Sequence, residues 1–261
     1  VDFNRAGVPL IEIVSEPDIR SPAEAAEYMR TMRQVLRYLD VCDGNMDEGS
    51  MRCDANVSIR PRGQKEFGTR AEIKNINSFR FVEQAIEYEI LRQEELVRGG
   101  GEVVQETRLW DSQAKKTRSM RSKEDAHDYR YFPDPDLPEL VLKEDFIAEI
   151  RETLPELPKA KFERYTSTLG LSEYDAKILT DDAEVAHFYE AALAAHENPK
   201  GLANWVINEV LREIKDQPLT TLKFEAAALG ELVILIDDMT ISGKIAKDVF
   251  ADMMEKCGSP G

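Results

Sequence analysis

The chain has 261 residues, of which 42% are hydrophobic and 32% are charged, and its formal net charge is −16. This length allows one large or two ordinary domains with a buried core. The acidic balance excludes a general basic surface for nucleic acid, so any RNA binding must use local patches. No apolar run approaches the roughly 20 residues of a membrane-spanning helix. The three cysteines form no CxxC pair, which predicts a reducing, cytoplasmic setting.

The first stretch of the chain predicts a turn followed by a buried strand. Residues 10–14 are an apolar run that contains one acid, Glu12. Burying an unpaired carboxylate costs several kcal/mol, so a buried Glu12 would need a cation or a proton. Residue chemistry leaves two readings open: a structural ion pair with an arginine such as Arg5 or Arg52, and a metal or substrate role.

A helix and then two strands with polar faces are predicted next. Ser21, Pro22 and Glu24 have the pattern of a helix start with a capping box, and the helix is expected to end near Asp40. Apolar and polar residues then alternate with period two over residues 51–60 and again over residues 69–75. The polar positions are Arg52, Asp54, Asn56, Ser58 and Arg60 on the first strand and Arg70, Glu72 and Lys74 on the second.

These polar faces have two possible explanations. A solvated antiparallel sheet would expose them to water. A concave sheet that lines a site for a charged ligand would account better for the mixture of arginine, acid and amide. Gly63 and Gly68 bracket the loop between the two strands.

The rest of the chain predicts a helix, a hairpin and then an all-helical part. Ser78 caps a long helix that ends at Gly99, and residues 103–110 and 117–122 form the hairpin. After about Leu140 the pattern becomes helical. The predicted helices lie near 144–153, 159–169, 172–180, 182–196, 200–216, 222–237 and 242–256.

Several stretches resemble one family, the B subunit of the tRNA-dependent amidotransferases. The most specific is Asp2-x-Asn4-Arg5-x-Gly7-x-Pro9-Leu10-x-Glu12, and residues 47–56, 72–78, 128–136 and 241–247 are also similar to that family. The resemblance covers essentially the whole chain and implies a fragment that lacks both ends. It implies an α+β fold: a partial cradle-like antiparallel β domain with helices over residues 1–141, then a truncated all-α helical domain that binds tRNA over residues 142–261.

What the resemblance implies about function is a carbon–nitrogen ligase that acts during translation. The side-chain carboxylate of Glu-tRNA(Gln) or Asp-tRNA(Asn) accepts the γ-phosphoryl group of ATP, and ammonia then displaces phosphate. A partner amidase subunit supplies the ammonia from glutamine, and a small accessory subunit completes a heterotrimer. The choice between the two tRNA substrates is left open.

The same resemblance implies roles for particular residues. Glu12 and Glu72 are the catalytic candidates. Mg²⁺, which prefers carboxylates and water, would be held by Glu12, Glu48 and Glu72. The side chains expected to hold ATP or the aminoacyl end are Arg52, Asn56, Lys74 and Asn75. The family's histidine and further acids before Val1 are absent, so a complete metal site is not expected.

Two other functions remain as alternatives. One is a non-catalytic tRNA-binding subunit, and the other is a metal-dependent phosphohydrolase that uses the same acids. Acids on the strands argue against a purely RNA-binding role, because they repel phosphate unless a metal intervenes. Cleavage of ATP that depends on mischarged tRNA distinguishes the ligase from both alternatives.

Overall fold

The computed structural model describes residues 7–120, 138–215, 217–256 and 258–260. Within these ranges the chain forms two compact units. The first unit contains residues 7–31 and 46–120, and the second contains residues 32–45 together with the described part of 138–260. The predicted domain boundary after residue 141 stays a prediction.

A mixed four-stranded sheet is the centre of the first unit. Its strands are β1 (Cys53–Val57), β2 (Ala71–Ile76), β3 (Thr107–Asp111) and β4 (Lys116–Ser119), in the spatial order β1-β2-β3-β4. The pairs β1–β2 and β3–β4 are antiparallel, whereas β2 and β3 are parallel. The expectation of an antiparallel sheet is therefore wrong for the central pair. The physical reason is the helix between β2 and β3, which returns the chain to the same end of the sheet.

That helix, α2 (Phe79–Arg98), covers one face of the sheet. The Ser78 side chain caps it by accepting a hydrogen bond of 3.1 Å from the backbone N–H of Phe81. Val82 and Ala85 of α2 are buried, as are the apolar positions of the strands, namely Ala55, Val57, Ala71, Ile73 and Trp110. The predicted alternation in β1 and β2 is confirmed, and the polar positions are left on the other face of the sheet.

The predicted strand at residues 10–14 is wrong for this structure. No regular element is present at these residues, and Glu12 is exposed. Leu10 is 90% exposed and Val14 is 81% exposed. A strand requires a neighbour for its backbone N–H and C=O groups, and none of the described strands pairs with this run.

Helix α1 (Pro22–Tyr38) begins where the sequence predicts. The backbone N–H of Glu24 donates to the Ser21 hydroxyl at 3.2 Å, which is half of the expected capping box. The Glu24 carboxylate accepts from the backbone N–H of Arg20 at 2.6 Å, one residue earlier than a standard capping box requires.

Helices make up the second unit. Besides the last part of α1, residues 32–38, they are α3 (Glu144–Thr153), α4 (Pro158–Ser167), α5 (Glu173–Asp181), α6 (Ala183–Ala195), α7 (Pro199–Trp205), α8 (Leu211–Ile214), α9 (Ala226–Asp237) and α10 (Gly243–Lys256). Seven segments were expected and all contain helix. The segment 200–216 differs in having a π-helical turn, Val206–Val210, between α7 and α8. The core includes Tyr165, Leu179, Tyr189, Leu202, Leu229 and Leu232.

The helices in the described part of the chain are too short or too polar to span a membrane.

Candidate active-site face

The face of the sheet away from α2 gathers polar side chains from three neighbouring strands. We call this set the polar face: Asp54 and Asn56 of β1, Glu72 and Lys74 of β2, and Thr107 of β3. Asn56 pairs with Glu72 across β1–β2, and Glu72 pairs with Thr107 across β2–β3. Side chains at paired positions lie on the same side of a sheet, so the strand register places these groups together.

Lys74 lies between the two carboxylates of the polar face. Its Nζ is 2.9 Å from Oδ2 of Asp54 and 3.2 Å from Oε1 of Glu72. The hydrogen bond to Asp54 raises the pKa of Lys74 above its ordinary value; partial burial opposes this rise, and the bond to Glu72 adds to it. The Lys74 side chain is 41% exposed, so the ammonium group is both held in place and accessible to a ligand.

Glu72 is held by both of its oxygens. The Thr107 hydroxyl donates to Oε2 of Glu72 at 2.8 Å, while Oε1 is near Lys74. The carboxylate of Glu72 therefore has a fixed orientation and still keeps about a third of its side-chain surface exposed, 32%. Such a group can accept hydrogen bonds or contact a cation without a change of rotamer.

A second polar cluster lies on the opposite, buried face of the sheet, and the sequence interpretation missed it. Glu89 of α2 is fully buried and accepts from Arg92 Nε at 2.9 Å and from Gln93 Nε2 at 2.8 Å. Arg108 Nε of β3 is 3.5 Å from the same carboxylate, and the Thr117 hydroxyl of β4 is 3.3 Å from it. The position of Glu89 and Gln93 at i and i+4 of an apolar helix face was the signal in the sequence.

The buried cluster joins α2 to three strands. Besides the contacts to β3 and β4, Gln93 Nε2 donates to the carbonyl oxygen of Val57, the last residue of β1, at 3.0 Å. These bonds hold the strands in position from the α2 side of the sheet. The strands in turn set the positions of the polar-face side chains on the other side.

Asn75 has a structural role in this fold. It adopts a positive φ of 66°, which few residues other than glycine and asparagine tolerate. Its side-chain Nδ2 donates to the carbonyl oxygen of Trp110 in β3 at 3.0 Å. These two observations account for asparagine at this position whether or not Asn75 also binds substrate.

The other predicted site residues lie outside the sheet. Arg52 is exposed immediately before β1, and Glu48 is exposed in a turn over residues 46–49. Glu12 is exposed in the irregular segment that precedes α1. The structure thus brings together Asn56, Glu72 and Lys74, and adds Asp54 and Thr107 to them. The predicted stretch at residues 128–136 lies outside the described residues.

The polar face does not fit a magnesium centre formed by the protein alone. Oxygen donors of the right type are present in Asp54 and Glu72, but the ammonium group of Lys74 lies between them. Across the described ranges, no group of three or more His, Cys, Asp or Glu side chains has an arrangement that could hold a metal ion. The metal roles of Glu12, Glu48 and Glu72 stay predictions.

Comparison with known proteins gives two family matches. Residues 1–148 match the GatB/GatE catalytic domain, and residues 187–261 match the GatB domain. All five residues of the polar face lie within the first match.

Similar proteins carry the same name in several bacteria: the B subunit of the aspartyl/glutamyl-tRNA(Asn/Gln) amidotransferase. The protein of this name from Thermodesulfovibrio yellowstonii is 54% identical over 255 residues, which are 97% of this chain and 54% of that protein. The one from Crocosphaera subtropica is 55% identical over 262 residues, covering 100% of this chain and 53% of the relative. The one from Myxococcus xanthus is 53% identical over 262 residues, covering 100% of this chain and 55% of the relative.

The chain therefore spans about half the length of the curated relatives it matches. The family model that matches from the first residue extends over more than half of the chain, and it contains the sheet, α2 and the polar face. The chain belongs to the GatB/GatE family of amidotransferase subunits.

Proposed function

We propose that the full-length protein activates the side-chain carboxylate of Glu-tRNA(Gln), Asp-tRNA(Asn) or both, and that the polar face contributes to this reaction. The observation that carries the proposal is the position of the Lys74 ammonium group, which is held between the carboxylates of Asp54 and Glu72. All three residues lie in the part of the chain that matches the catalytic domain. The names of the relatives supply the amidotransferase reaction and its two tRNA substrates.

The proposed reaction has two displacements. A carboxylate oxygen of the aminoacyl side chain attacks the γ-phosphorus of ATP, and ADP leaves with the electron pair of the broken P–O bond. Ammonia then attacks the acyl carbon, inorganic phosphate leaves, and the nitrogen loses a proton. Both substrates of the first step are anionic, so the site must supply positive charge and fixed hydrogen-bond donors.

The residues of the polar face can meet part of this requirement. Lys74 places a cation on an accessible surface, and Asn56 places an amide beside Glu72 in the neighbouring strand. Glu72, held by Thr107, is oriented for a role as an acceptor. ATP and Mg²⁺ are the cofactors of the proposed reaction, and Mg²⁺ would supply charge neutralisation when bound. Arg52 and Asn75 remain proposed contacts to ATP or the aminoacyl end.

The proposed assembly follows from the word subunit in the names of the relatives. We propose an amidase subunit that releases ammonia from glutamine and a small accessory subunit as partners. The helical second unit is proposed to bind tRNA. A purely tRNA-binding subunit is the alternative, and it would leave the acids of the polar face with only the structural role of pairing with Lys74.

The experiment uses the full-length amidotransferase complex and compares the variant Glu72→Gln with the parent. Removing a charge that acts in phosphoryl transfer should lower the rate of tRNA-dependent ATP cleavage about a hundredfold or more. Glutamine hydrolysis at the partner's separate site should persist at its basal level. Glu94→Gln, on the exposed side of α2, is the matched control and should leave both rates unchanged.

Two outcomes would contradict the proposal. A folded Glu72→Gln complex that cleaves ATP at the parental rate would remove Glu72 from the reaction. ATP cleavage that is the same with mischarged and uncharged tRNA would favour a phosphohydrolase.

A further inference from the structure

The loop between β1 and β2 is strongly basic, although the chain as a whole is acidic. Residues 60–70 contain three arginines and one lysine against a single glutamate, whereas the net charge of the chain is −16. The cationic side chains, Arg60, Arg62, Lys65 and Arg70, are all exposed. We call residues 60–70 the basic loop. A local patch of this kind is what an acidic protein needs for contact with a polyanion.

The basic loop has a defined shape. Arg60 Nη1 donates to the carbonyl oxygen of Lys65, and the backbone N–H of Gln64 donates to the carbonyl oxygen of Pro61 at 3.1 Å. Gly68 closes the loop, since a Cβ there would lie only 2.1 Å from the carbonyl oxygen of Ile59. The charges are therefore presented from a fixed backbone, which lowers the entropy cost of binding.

An exposed aromatic ring is part of the same loop. Phe67 is 54% exposed, and the guanidinium carbon of Arg60 lies 4.7 Å from the centre of its ring. A loop whose only role is to be solvated has no need for a phenyl ring in water, because exposing it forgoes the gain of burial. A ring stacked on one side by arginine and open elsewhere is suited to stack a nucleic-acid base.

The basic loop begins and ends beside the polar face. Val57 pairs with Ala71 as the last pair of the β1–β2 hairpin, and the adjacent pair is Asn56 with Glu72. RNA bound at the base of the loop would thus lie next to Asn56 and Glu72. A loop that bound RNA for storage or anchoring alone would not need this position.

We propose that the basic loop binds the single-stranded acceptor end of the substrate tRNA, with phosphates against Arg62, Lys65 and Arg70 and one base stacked on Phe67. This inference rests on the proposed function for the identity of the RNA. The combination of several separated cations with a single stacking ring fits a short single strand, whose charges are spaced along a backbone. ATP also has phosphates and a base, but in a smaller molecule, and the test distinguishes ATP from RNA as the ligand of the basic loop.

The first experiment measures the charge contribution in the full-length amidotransferase complex. The variant is Arg62→Ala with Lys65→Ala. The matched control is Lys115→Ala with Lys116→Ala, which removes two exposed positive charges where the turn after β3 meets the start of β4. The loop variant should raise the KM for mischarged tRNA about tenfold at moderate salt. The slope of log affinity against log salt should become shallower by about 1.4, because each single-strand phosphate that is no longer neutralised reduces it by about 0.7. The KM for ATP and the kcat at saturating tRNA should change less than about twofold.

The second experiment tests the stacking. Phe67→Leu keeps an apolar side chain beside Arg60 but removes the ring, and should weaken tRNA affinity about five- to a hundredfold. Phe67→Trp restores a ring and should recover affinity to near the parental value. Circular dichroism and thermal unfolding of each variant show whether the fold is kept, and a structural role alone would not be rescued by the larger tryptophan.

A direct binding measurement tests the inference without relying on catalytic turnover. A fluorescent oligoribonucleotide ending in CCA should bind the parent complex more tightly than either loop variant, as measured by anisotropy. Equal reductions in affinity for the loop variant and the Lys115/Lys116 control would show a general charge effect and overturn the inference. A rise in the KM for ATP without a change for tRNA or oligonucleotide would assign the loop to nucleotide and also overturn it. If the parent bound the oligonucleotide through the loop but did not amidate tRNA, the proposed function would fail while the loop still bound RNA.

Discussion

At the residue scale, Glu12 shows how the structure changes the meaning of a sequence signal. An acid within an apolar run suggested a buried carboxylate that needs a partner. The structure instead exposes Glu12 and the apolar residues around it. An exposed carboxylate has no desolvation cost to offset, so a structural ion pair is no longer required to explain it.

The variant Glu12→Gln should therefore change the free energy of unfolding of the 261-residue chain by less than about 0.5 kcal/mol, as expected for a surface substitution. Urea unfolding followed by circular dichroism measures this. Glu16→Gln, in the same exposed segment, is the control.

A loss of about 3 kcal/mol or more in Glu12→Gln alone would instead indicate a buried pair whose cation has been left uncompensated. If the stability is unchanged, a fall of about a hundredfold in tRNA-dependent ATP cleavage by the full-length complex would come from a role of Glu12 in the reaction.

Asn75 shows the limit of predicting site residues from a motif. The sequence places it beside Lys74, and the family resemblance implies a substrate role for it. Its positive φ and its bond to the Trp110 carbonyl oxygen depend on the neighbouring strand β3, which is 35 residues away in sequence. Long-range contacts of this kind leave no local pattern, so the sequence alone cannot distinguish a residue that shapes the sheet from one that contacts substrate.

At the scale of elements, local sequence patterns predict the helices and the strand alternation correctly, but they do not predict which strands pair. The cap of α2, the alternation in β1 and β2 and the positions of the helices after residue 140 all depend on neighbours within a few residues, and all were found. The parallel pairing of β2 with β3 depends on the path of α2, and the exposure of residues 10–14 depends on which strands find partners. Those features are set by tertiary contacts.

The polar face could be predicted in part for the same reason. Period-two alternation, which the sequence shows directly, places Glu72 and Lys74 on one face of β2 and Asn56 on the polar face of β1. The pairing that brings Asn56 beside Glu72 comes from the structure. Thr107 comes from a strand whose register with β2 only the structure reveals. Glu89 and Gln93 were missed because polar residues on a helix are assigned to the solvent side unless their partners are known.

The buried cluster around Glu89 makes a specific prediction about α2. Glu89→Gln removes the fully buried negative charge that faces Arg92 and Arg108, and leaves these two partly buried guanidinium groups with Glu106 as their remaining carboxylate. We expect a loss of about 3–5 kcal/mol in the free energy of unfolding, which is typical when one partner of a buried ion pair is removed. Chemical denaturation of the 261-residue chain is the measurement.

The same helix provides the control for this prediction. Glu94 is paired with Arg98, whose side chain is 79% exposed, and Glu94→Gln should cost less than about 0.5 kcal/mol. Equal effects of the two substitutions would mean that the cluster around Glu89 is no more stabilising than a surface pair.

At the scale of the whole molecule, the basic side chains are distributed unevenly. Residues 1–141 contain 16 arginines and 5 lysines, and residues 142–261 contain 3 arginines and 10 lysines. Arginine suits bidentate contacts to phosphate and carboxylate, whereas lysine is a more mobile point charge. The part of the chain with the polar face and the basic loop is thus also the part with most of the guanidinium groups.

The second unit has its own buried charge cluster, which involves helices α4 and α6. Lys161 is 4% exposed, and its Nζ lies 2.7 Å from Oε1 of Glu190 and 3.3 Å from Oε2 of Glu156. Arg164 pairs with both of these carboxylates. Burial tends to raise the pKa of Glu190, but the bonds from Lys161 and Arg164 outweigh it and hold that pKa below its ordinary value. Bonds from Arg164 and Lys161 likewise lower the pKa of Glu156, against a smaller opposing effect of burial.

These lowered pKa values predict that the second unit loses stability in acid. A carboxyl group whose pKa is lower in the folded state adds stability above its unfolded pKa, about 4.3 for glutamate, and that stability is lost as the pH falls through the folded pKa. The free energy of unfolding should therefore be steady from pH 7 to about pH 5 and fall below that.

Removing one charge by Glu190→Gln should lower stability at pH 7 by about 3 kcal/mol or more, because Lys161 stays buried with a weaker partner. The same variant should lose less between pH 5 and pH 3 than the parent, since one of the titrating groups is gone. Urea unfolding at pH 7, 5, 4 and 3 measures both effects, and Glu163→Gln on the exposed side of α4 is the control. A Glu190→Gln variant with the acid sensitivity of the parent would show that the cluster is not the source of the pH dependence.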